Sequence, residues 1–177
     1  MLYTGKGDAG TTKVFDSTKE RISKSSDLPE ALGALDELNA FVGFVKAYAA
    51  ENARIAPILR QVQEELFIIQ AEIAGADKRV NTAAMERLEQ VINNVEKAIP
   101  ALKGFSIAGG TELSALLDVA RTLARRAERR VVALAEAGVR DVNAPTLAYL
   151  NRLSSLLFAL ARLANHLAGV PEENPRY

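Results

Sequence analysis

Five arginines crowd one short stretch, ARTLARRAERR: Arg121, Arg125, Arg126, Arg129 and Arg130. Arg121, Arg125 and Glu128 fall at i, i+4 and i+7, a spacing that puts all three on one face of a helix. Arg121 and Arg125 repel each other as an i,i+4 pair, and Glu128 is the residue placed to relieve Arg125 on that helix. Such frustration is compensated by an acid from another helix or by a bound polyanion, whose oxygens accept several guanidinium hydrogen bonds. A solvated face with a few weak pairs is the third reading. Two other stretches bear on the choice. In ALDELNAFVG, Asp36 and Asn39 sit beside the apolar residues Leu32 and Leu35. In YLNRLSSLLFALAR, Asn151 follows Leu150, where an amide at the edge of a core needs hydrogen-bond partners. Asp36, Arg121, Arg125, Glu128 and Asn151 are therefore candidates to gather around one cleft.

A second group lies at the front of the chain. MLYTGKGDAGTT contains GKGDAG, which spells the G-x-G-x-x-G of a dinucleotide-binding turn. That turn follows a strand and opens a helix. Here four residues precede it, and TTKVFDSTKERISKSSD behind it has no helical apolar period. The surviving readings are a terminal tail rich in turn residues and a loop whose backbone N–H groups wrap phosphates without that fold. Gly5, Gly7 and Gly10 permit positive φ, and Thr4, Thr11 and Thr12 offer hydroxyls.

Behind residue 27 the apolar period is helical almost throughout. A first helix is expected from about Pro29 to Ala50, a second from Ile55 to Ala74 and a third from Thr82 to Ile99. A fourth runs from Glu112 to Ala137 and a fifth from Pro145 to Ala168. Cap residues agree: Ser26 or Asp27, Asn81 or Thr82, Thr111, and Asn143 or Ala144 at the starts, Gly75, Gly138 and Gly169 at the ends. The expected fold is all-α, a five-helix up-and-down bundle behind an N-terminal glycine-rich segment. One domain spans residues 1–177, with the loop at 1–27, the bundle at 28–170 and a tail at 171–177. One linker is longer, LKGFSIAGG from Leu102 to Gly110, with an apolar pair, Phe105 and Ile107, followed by two glycines. It reads either as a wall of a binding site or as a packed plug.

Composition narrows the chemistry. Twenty-two basic and 22 acidic residues cancel, so no global field draws nucleic acid to the chain. No run approaches the roughly 18 uncharged apolar residues a membrane span needs. Zero cysteines exclude thiolate chemistry, and one histidine cannot build a zinc site or a di-iron bundle site. His166, late in the last helix, reads as structural. A cytoplasmic protein is the simplest expectation.

The blocks YTGKGDAGTT, ALGALDELNAFVG, FSIAGGTELSALLDVARTLARRAERRVVAL and YLNRLSSLLFALAR occur in this order from Tyr3 to about Arg162. In that order the chain resembles the PduO-type ATP:corrinoid adenosyltransferases. The resemblance implies transfer of the 5′-deoxyadenosyl group of ATP to cob(I)alamin, giving adenosylcobalamin and tripolyphosphate, with Mg²⁺ accompanying ATP. It implies a homotrimer with active sites between subunits, and it implies a corrinoid reductase and an adenosylcobalamin-dependent enzyme as partners. By matching position, Thr4, Gly5, Gly7, Asp8, Gly10, Thr11 and Thr12 would line a loop that orders around ATP, and Lys24 would reach the phosphates. Arg125 and Arg126 would lie near the triphosphate. Glu128 would organise magnesium–ATP, and Asn151 with Arg152 would bind the nucleotide. Asp36 and Arg121 would form a salt bridge between subunits on the corrinoid side, and Phe105 would displace the lower axial ligand of cobalamin. The chain departs from the family pattern at Ala9, where lysine is frequent, and at Ala108, where proline is common. A binding protein without turnover would use the same residues, and a helical nucleic-acid binder would use the arginines alone.

Overall fold

The computed structural model describes residues 2–14, 20–102 and 104–176. A short antiparallel ribbon comes first: β1 (Thr11–Lys13) pairs with β2 (Arg21–Ser23), Thr12 opposite Ile22. Five helices follow: α1 (Asp27–Tyr48), α2 (Ala56–Ala74), α3 (Thr82–Ala98), α4 (Glu112–Glu136) and α5 (Ala144–Leu167). Each predicted helix is present, with ends within about two residues of the expected ones.

The start signals work as side-chain chemistry predicts. Asn81, Thr111 and Asn143 each accept a hydrogen bond from a backbone N–H three residues on, at Ala84, Ser114 and Thr146. Each such cap is worth about 1 kcal/mol. At the first helix the cap is Ser26, but its hydroxyl donates to the Ser23 carbonyl at 2.7 Å instead. That bond ties α1 to the N-terminal ribbon. Gly75 closes α2 in the left-handed conformation, φ 101°.

Leu35, Leu38, Val42 and Val45 of α1 meet Leu59, Val62, Leu66, Ile69 and Ile73 of α2, with α4 and α5 completing one continuous core. Burying one such side chain fully contributes about 1.5–3 kcal/mol. Ile58 and Met85 are half-buried while their neighbours Leu59 and Ala84 are buried, and Leu167 is exposed past the last packed turn.

Polar pairs show how the helices run. Glu30–Arg130 and Glu37–Arg126 bridge α1 to α4, so these two are antiparallel. Thr111 bonds Asn165 and Glu128 bonds Asn151, so α4 and α5 are antiparallel too. Glu89–Arg152 and Pro100–Arg162 make α3 and α5 parallel neighbours. Direction therefore alternates along the chain, as expected. The packing order is α2, α1, α4, α5, α3, which is not chain order. The Ile99–Thr111 linker makes the change, leaving α3 and passing across the end of α5 before opening α4. At the other end, buried Glu72 accepts from Arg79, from the Asn143 N–H and from the Thr146 hydroxyl, joining α2 to α5.

Candidate functional site

The glycine-rich segment is a folded loop rather than a featureless tail. Asp8 N–H bonds the Gly5 carbonyl and Gly10 N–H the Gly7 carbonyl, two successive turns that lead into β1. Gly5 and Gly10 have φ of 66° and 76°, which side-chain-bearing residues rarely adopt. Thr4 and Asp8 are exposed, Thr11 and Thr12 half-buried. Lys24 N–H bonds the Gly10 carbonyl at 2.9 Å, and the Lys24 side chain lies across Gly7. A Cβ at Gly7 would stand 3.0 Å from Lys24 Nζ. So the ammonium that the resemblance assigns to phosphate is held against the loop. Arg21 fixes the loop from the opposite strand. It donates to the Lys6 carbonyl and to both the carbonyl and the hydroxyl of Thr11. Sequence reasoning missed Arg21, because three-residue strands leave too short an alternating pattern to pair by eye.

On the bundle, α4 and α5 carry a chain of polar contacts. Asn151 Nδ2 donates to Glu128 Oε1 at 2.9 Å, and Arg152 Nε donates to Glu89 on α3 at 2.9 Å. A longer contact of 3.4 Å, from Arg152 Nη1 to the side-chain Oδ1 of Asn151, links the two. Arg126 pairs with Glu37, while Arg125 is exposed and its side chain has no partner among the described residues. Asp36 is exposed, its carboxylate likewise without a partner among the described residues. Within the chain Arg121 bonds Asp118, at 3.0 Å from Nε to Oδ1. That i,i+3 acid relieves the arginine run from the side opposite Glu128, a compensation the sequence reading overlooked.

The third part is the Phe105 loop. Phe105 is 78% exposed, so the ring is not a packed plug. Its backbone is held tightly. Ile107 N–H bonds the Glu173 carbonyl at 2.8 Å and the Asn174 amide bonds the Phe105 carbonyl at 2.7 Å. Asn165 donates to the Gly109 carbonyl and accepts from both the N–H and the hydroxyl of Thr111. Arg162 reaches the Pro100 carbonyl and pairs with Glu172. Below the loop a small cavity of about 40 Å³ is lined by Asp118, Arg121, Phe158 and Asn165, among others. A larger apolar groove of about 500 Å³ runs from Phe158 between α3 and α5 to Leu102. Phe158, Arg162 and Asn165 were missed as site residues. Their helix reads as a core helix, and only the returning tail reveals that its end lines a cavity.

Arg121 and Glu128 stand two turns apart, about 10 Å along α4. The single chain thus brings Glu128, Asn151 and Arg152 together and, separately, Arg121 and the Phe105 loop. Among the described residues no hydrogen bond or ion pair joins the N-terminal loop to Arg125, Arg126 or Glu128. Nor do the described residues hold any group of three His, Cys, Asp or Glu side chains able to cage a metal ion. His166 is exposed in the last turn of α5.

This arrangement, a five-helix bundle with an arginine face, a glycine-rich loop and an apolar groove, defines a class. The family model for cobalamin adenosyltransferase matches residues 2–164. The chain belongs to the cobalamin adenosyltransferase family. It is 40% identical over 173 residues to corrinoid adenosyltransferase PduO of Citrobacter freundii, covering 93% of this chain and 50% of that one. With the corrinoid adenosyltransferase of Mycobacterium tuberculosis (strain ATCC 25618 / H37Rv) it shares 38% over 172 residues, covering 93% and 88%. The chain therefore spans half the length of the first relative and most of the second. Among solved structures, a variant PduO-type ATP:corrinoid adenosyltransferase from Lactobacillus reuteri complexed with cobalamin and ATP superposes with a TM-score of 0.90. That match is at 33% identity and covers 99% of this chain and 97% of that one. No helix among the described residues is long and apolar enough to cross a membrane.

Proposed function

We propose that this chain transfers the 5′-deoxyadenosyl group of ATP to cob(I)alamin, forming adenosylcobalamin and tripolyphosphate. The observation that carries the reading is the exposed, unpartnered Arg125 on the same helix face as Glu128. Of the other arginines of the run, Arg121 pairs with Asp118, Arg126 with Glu37 and Arg130 with Glu30, while Arg129 is exposed and, like Arg125, has no partner among the described residues. A cation left free beside bonded neighbours is what a polyanionic leaving group needs.

In the reaction the cobalt electron pair attacks C5′, a Co–C bond forms, the C5′–O bond breaks and the electron pair leaves on the triphosphate. The substrate is itself the nucleophile, so the protein supplies position and charge. Arg125, Lys24 and the N–H groups of the loop from Thr4 to Thr12 neutralise the leaving triphosphate. Arg126 gives up or shares Glu37 to join them. Glu128, oriented by Asn151, would be the acidic neighbour of a Mg²⁺ ion carried on ATP, which would supply further positive charge to the leaving group. Asn151 and Arg152 hold the nucleoside. Phe105 stands at the corrinoid, where an apolar ring in place of the lower ligand favours reduction to cob(I).

We place these parts together in a homotrimer, where the free Asp36 of one copy pairs with Arg121 of another. Among the described residues no hydrogen bond or ion pair joins the loop to the arginine face, which is consistent with an active site completed between subunits. A cytoplasmic setting, a reductase that delivers the electron and an enzyme that consumes adenosylcobalamin complete the proposal. Purified protein with ATP, Mg²⁺ and chemically reduced cobalamin is expected to form a light-sensitive Co–C bond, followed by absorbance. Binding of both substrates without turnover would replace the enzyme by a carrier. Light scattering that gives a monomer at assay concentration would remove the shared site.

A further inference from the structure

Asp118 lies between two parts of the site and touches both. It sits on α4 with only 9% of its surface exposed, one turn before Arg121. Its Oδ1 accepts from Arg121 Nε at 3.0 Å, and its Oδ2 accepts from Gly109 N–H at 3.3 Å. Gly109 is four residues after Phe105, and the tail and Asn165 fix the segment between. One carboxylate therefore holds the arginine of the corrinoid side and the loop that carries the aromatic ring.

We propose that Asp118 is a positioning residue that locks the Arg121 guanidinium and the Phe105 loop into one unit, so that corrinoid meets both in a fixed relation. The proposal rests on the adenosyltransferase reading above. The bond to Nε fixes the guanidinium plane. It leaves both Nη groups without partners among the described residues, so they are available to a carboxylate from a second copy. Arg121 therefore need not choose between Asp118 and a partner acid. Through Oδ2, any rotation of Asp118 that follows Arg121 also releases or draws in Gly109. Both ends of the carboxylate bond are charge-assisted, and half-buried geometry around a small cavity leaves them little water to replace a lost partner.

The test separates loop position from turnover. The chain has no tryptophan, so Ile107→Trp, whose backbone bond to Glu173 is kept, reports on the loop alone. In that background Asp118→Ala is expected to raise acrylamide quenching of the indole by about twofold, since the Gly109 tether is gone. It is also expected to raise KM for cob(I)alamin about tenfold while KM for ATP stays within about twofold. Asp118→Asn keeps an acceptor for Gly109 N–H and loses the charge facing Arg121. It is expected to restore the quenching and leave the corrinoid KM raised, a split that general loss of stability does not produce. If Asp118→Ala does not fold, the Asn variant with its melting curve decides alone. Unchanged quenching and unchanged corrinoid KM overturn the proposal. So does a parallel rise of both KM values with a lowered melting temperature, or full rescue of KM by Asn. If the parent protein forms no Co–C bond, the reaction reading fails, while the quenching of the two variants still judges the tether.

Discussion

Arg125 and Arg126 are adjacent in the chain and opposite in circumstance. Arg126 is paired with Glu37 of α1, and Arg125 faces solvent with no partner among the described residues. Removing Arg125 therefore breaks nothing in the resting fold. Arg125→Ala is expected to leave the melting temperature within about 2 °C and to lower kcat/KM for ATP by about 10²–10³, the usual loss for one donor to a developing anion. Steady-state kinetics beside a thermal melt checks both halves. Phe105 makes the companion case. Its ring is 78% exposed and its backbone is bound, so Phe105→Ala changes the surface the loop presents and leaves the loop in place. Activity with supplied cob(I)alamin is expected to survive better than activity with cob(II)alamin and a reductase. Equal losses in the two assays contradict the ligand-displacing role. At this scale the sequence was informative about residue types and silent about pairing. The i,i+4 and i,i+7 spacings located Arg121, Arg125 and Glu128 on one face. The acid at i−3 to Arg121 and the α1 acids opposite Arg126 and Arg130 became visible only with the packing.

Among the elements, helices were legible and short irregular pieces were not. Each helix carries a long apolar period, a side-chain cap and a stop, three independent signals that agree. The β1–β2 ribbon carries three residues a strand and no such redundancy. The Ile99–Thr111 linker shows the same contrast. Its glycines announced a loop, but the use of Gly110 is a tertiary fact. Gly110 has φ 103°, and a Cβ there would stand 2.6 Å from the amide of Asn165. Asn165 cannot swing away cheaply, because it is buried and holds Gly109 and Thr111 through three hydrogen bonds. Gly110→Ala is thus expected to destabilise the protein by about 2–3 kcal/mol, from backbone strain plus loss of part of that amide's bonding. A urea titration gives the value. A cost below about 0.5 kcal/mol means that the amide yields, and the linker is softer than its bonds indicate.

For the molecule as a whole, the core sets both stability and its pH limits. Tyr149 on α5 is 1% exposed, and burial, reinforced by the nearby Glu65 carboxylate and only partly offset by Arg87, pushes its phenol well above the ordinary 10.0. The unfolded chain loses this proton near pH 10 and the folded one keeps it. The folded state then binds more protons, and stability falls as pH rises. The Tyr149 contribution is whole below about pH 9 and declines above about 10, by at most about 1.4 kcal/mol per pH unit. Tyr149→Phe is expected to flatten that alkaline decline relative to the parent in parallel urea titrations at pH 8 and pH 10.5. Curves that stay parallel would mean the phenol finds water in the folded state. The same core explains the division of information. The sequence by itself determined five helices, their ends, their alternating direction and the residue types able to grip a polyanion, because periodicity, caps and charge spacing act within a few turns of one chain. Only the tertiary structure decided that α3 lies parallel beside α5 and that the tail returns to hold the Phe105 loop. It also decided that Asp118 joins that loop to Arg121 and that Arg125, next to the paired Arg126, has no partner among the described residues. Those outcomes depend on which buried faces meet across long stretches of chain, and a local pattern carries no record of its distant partner.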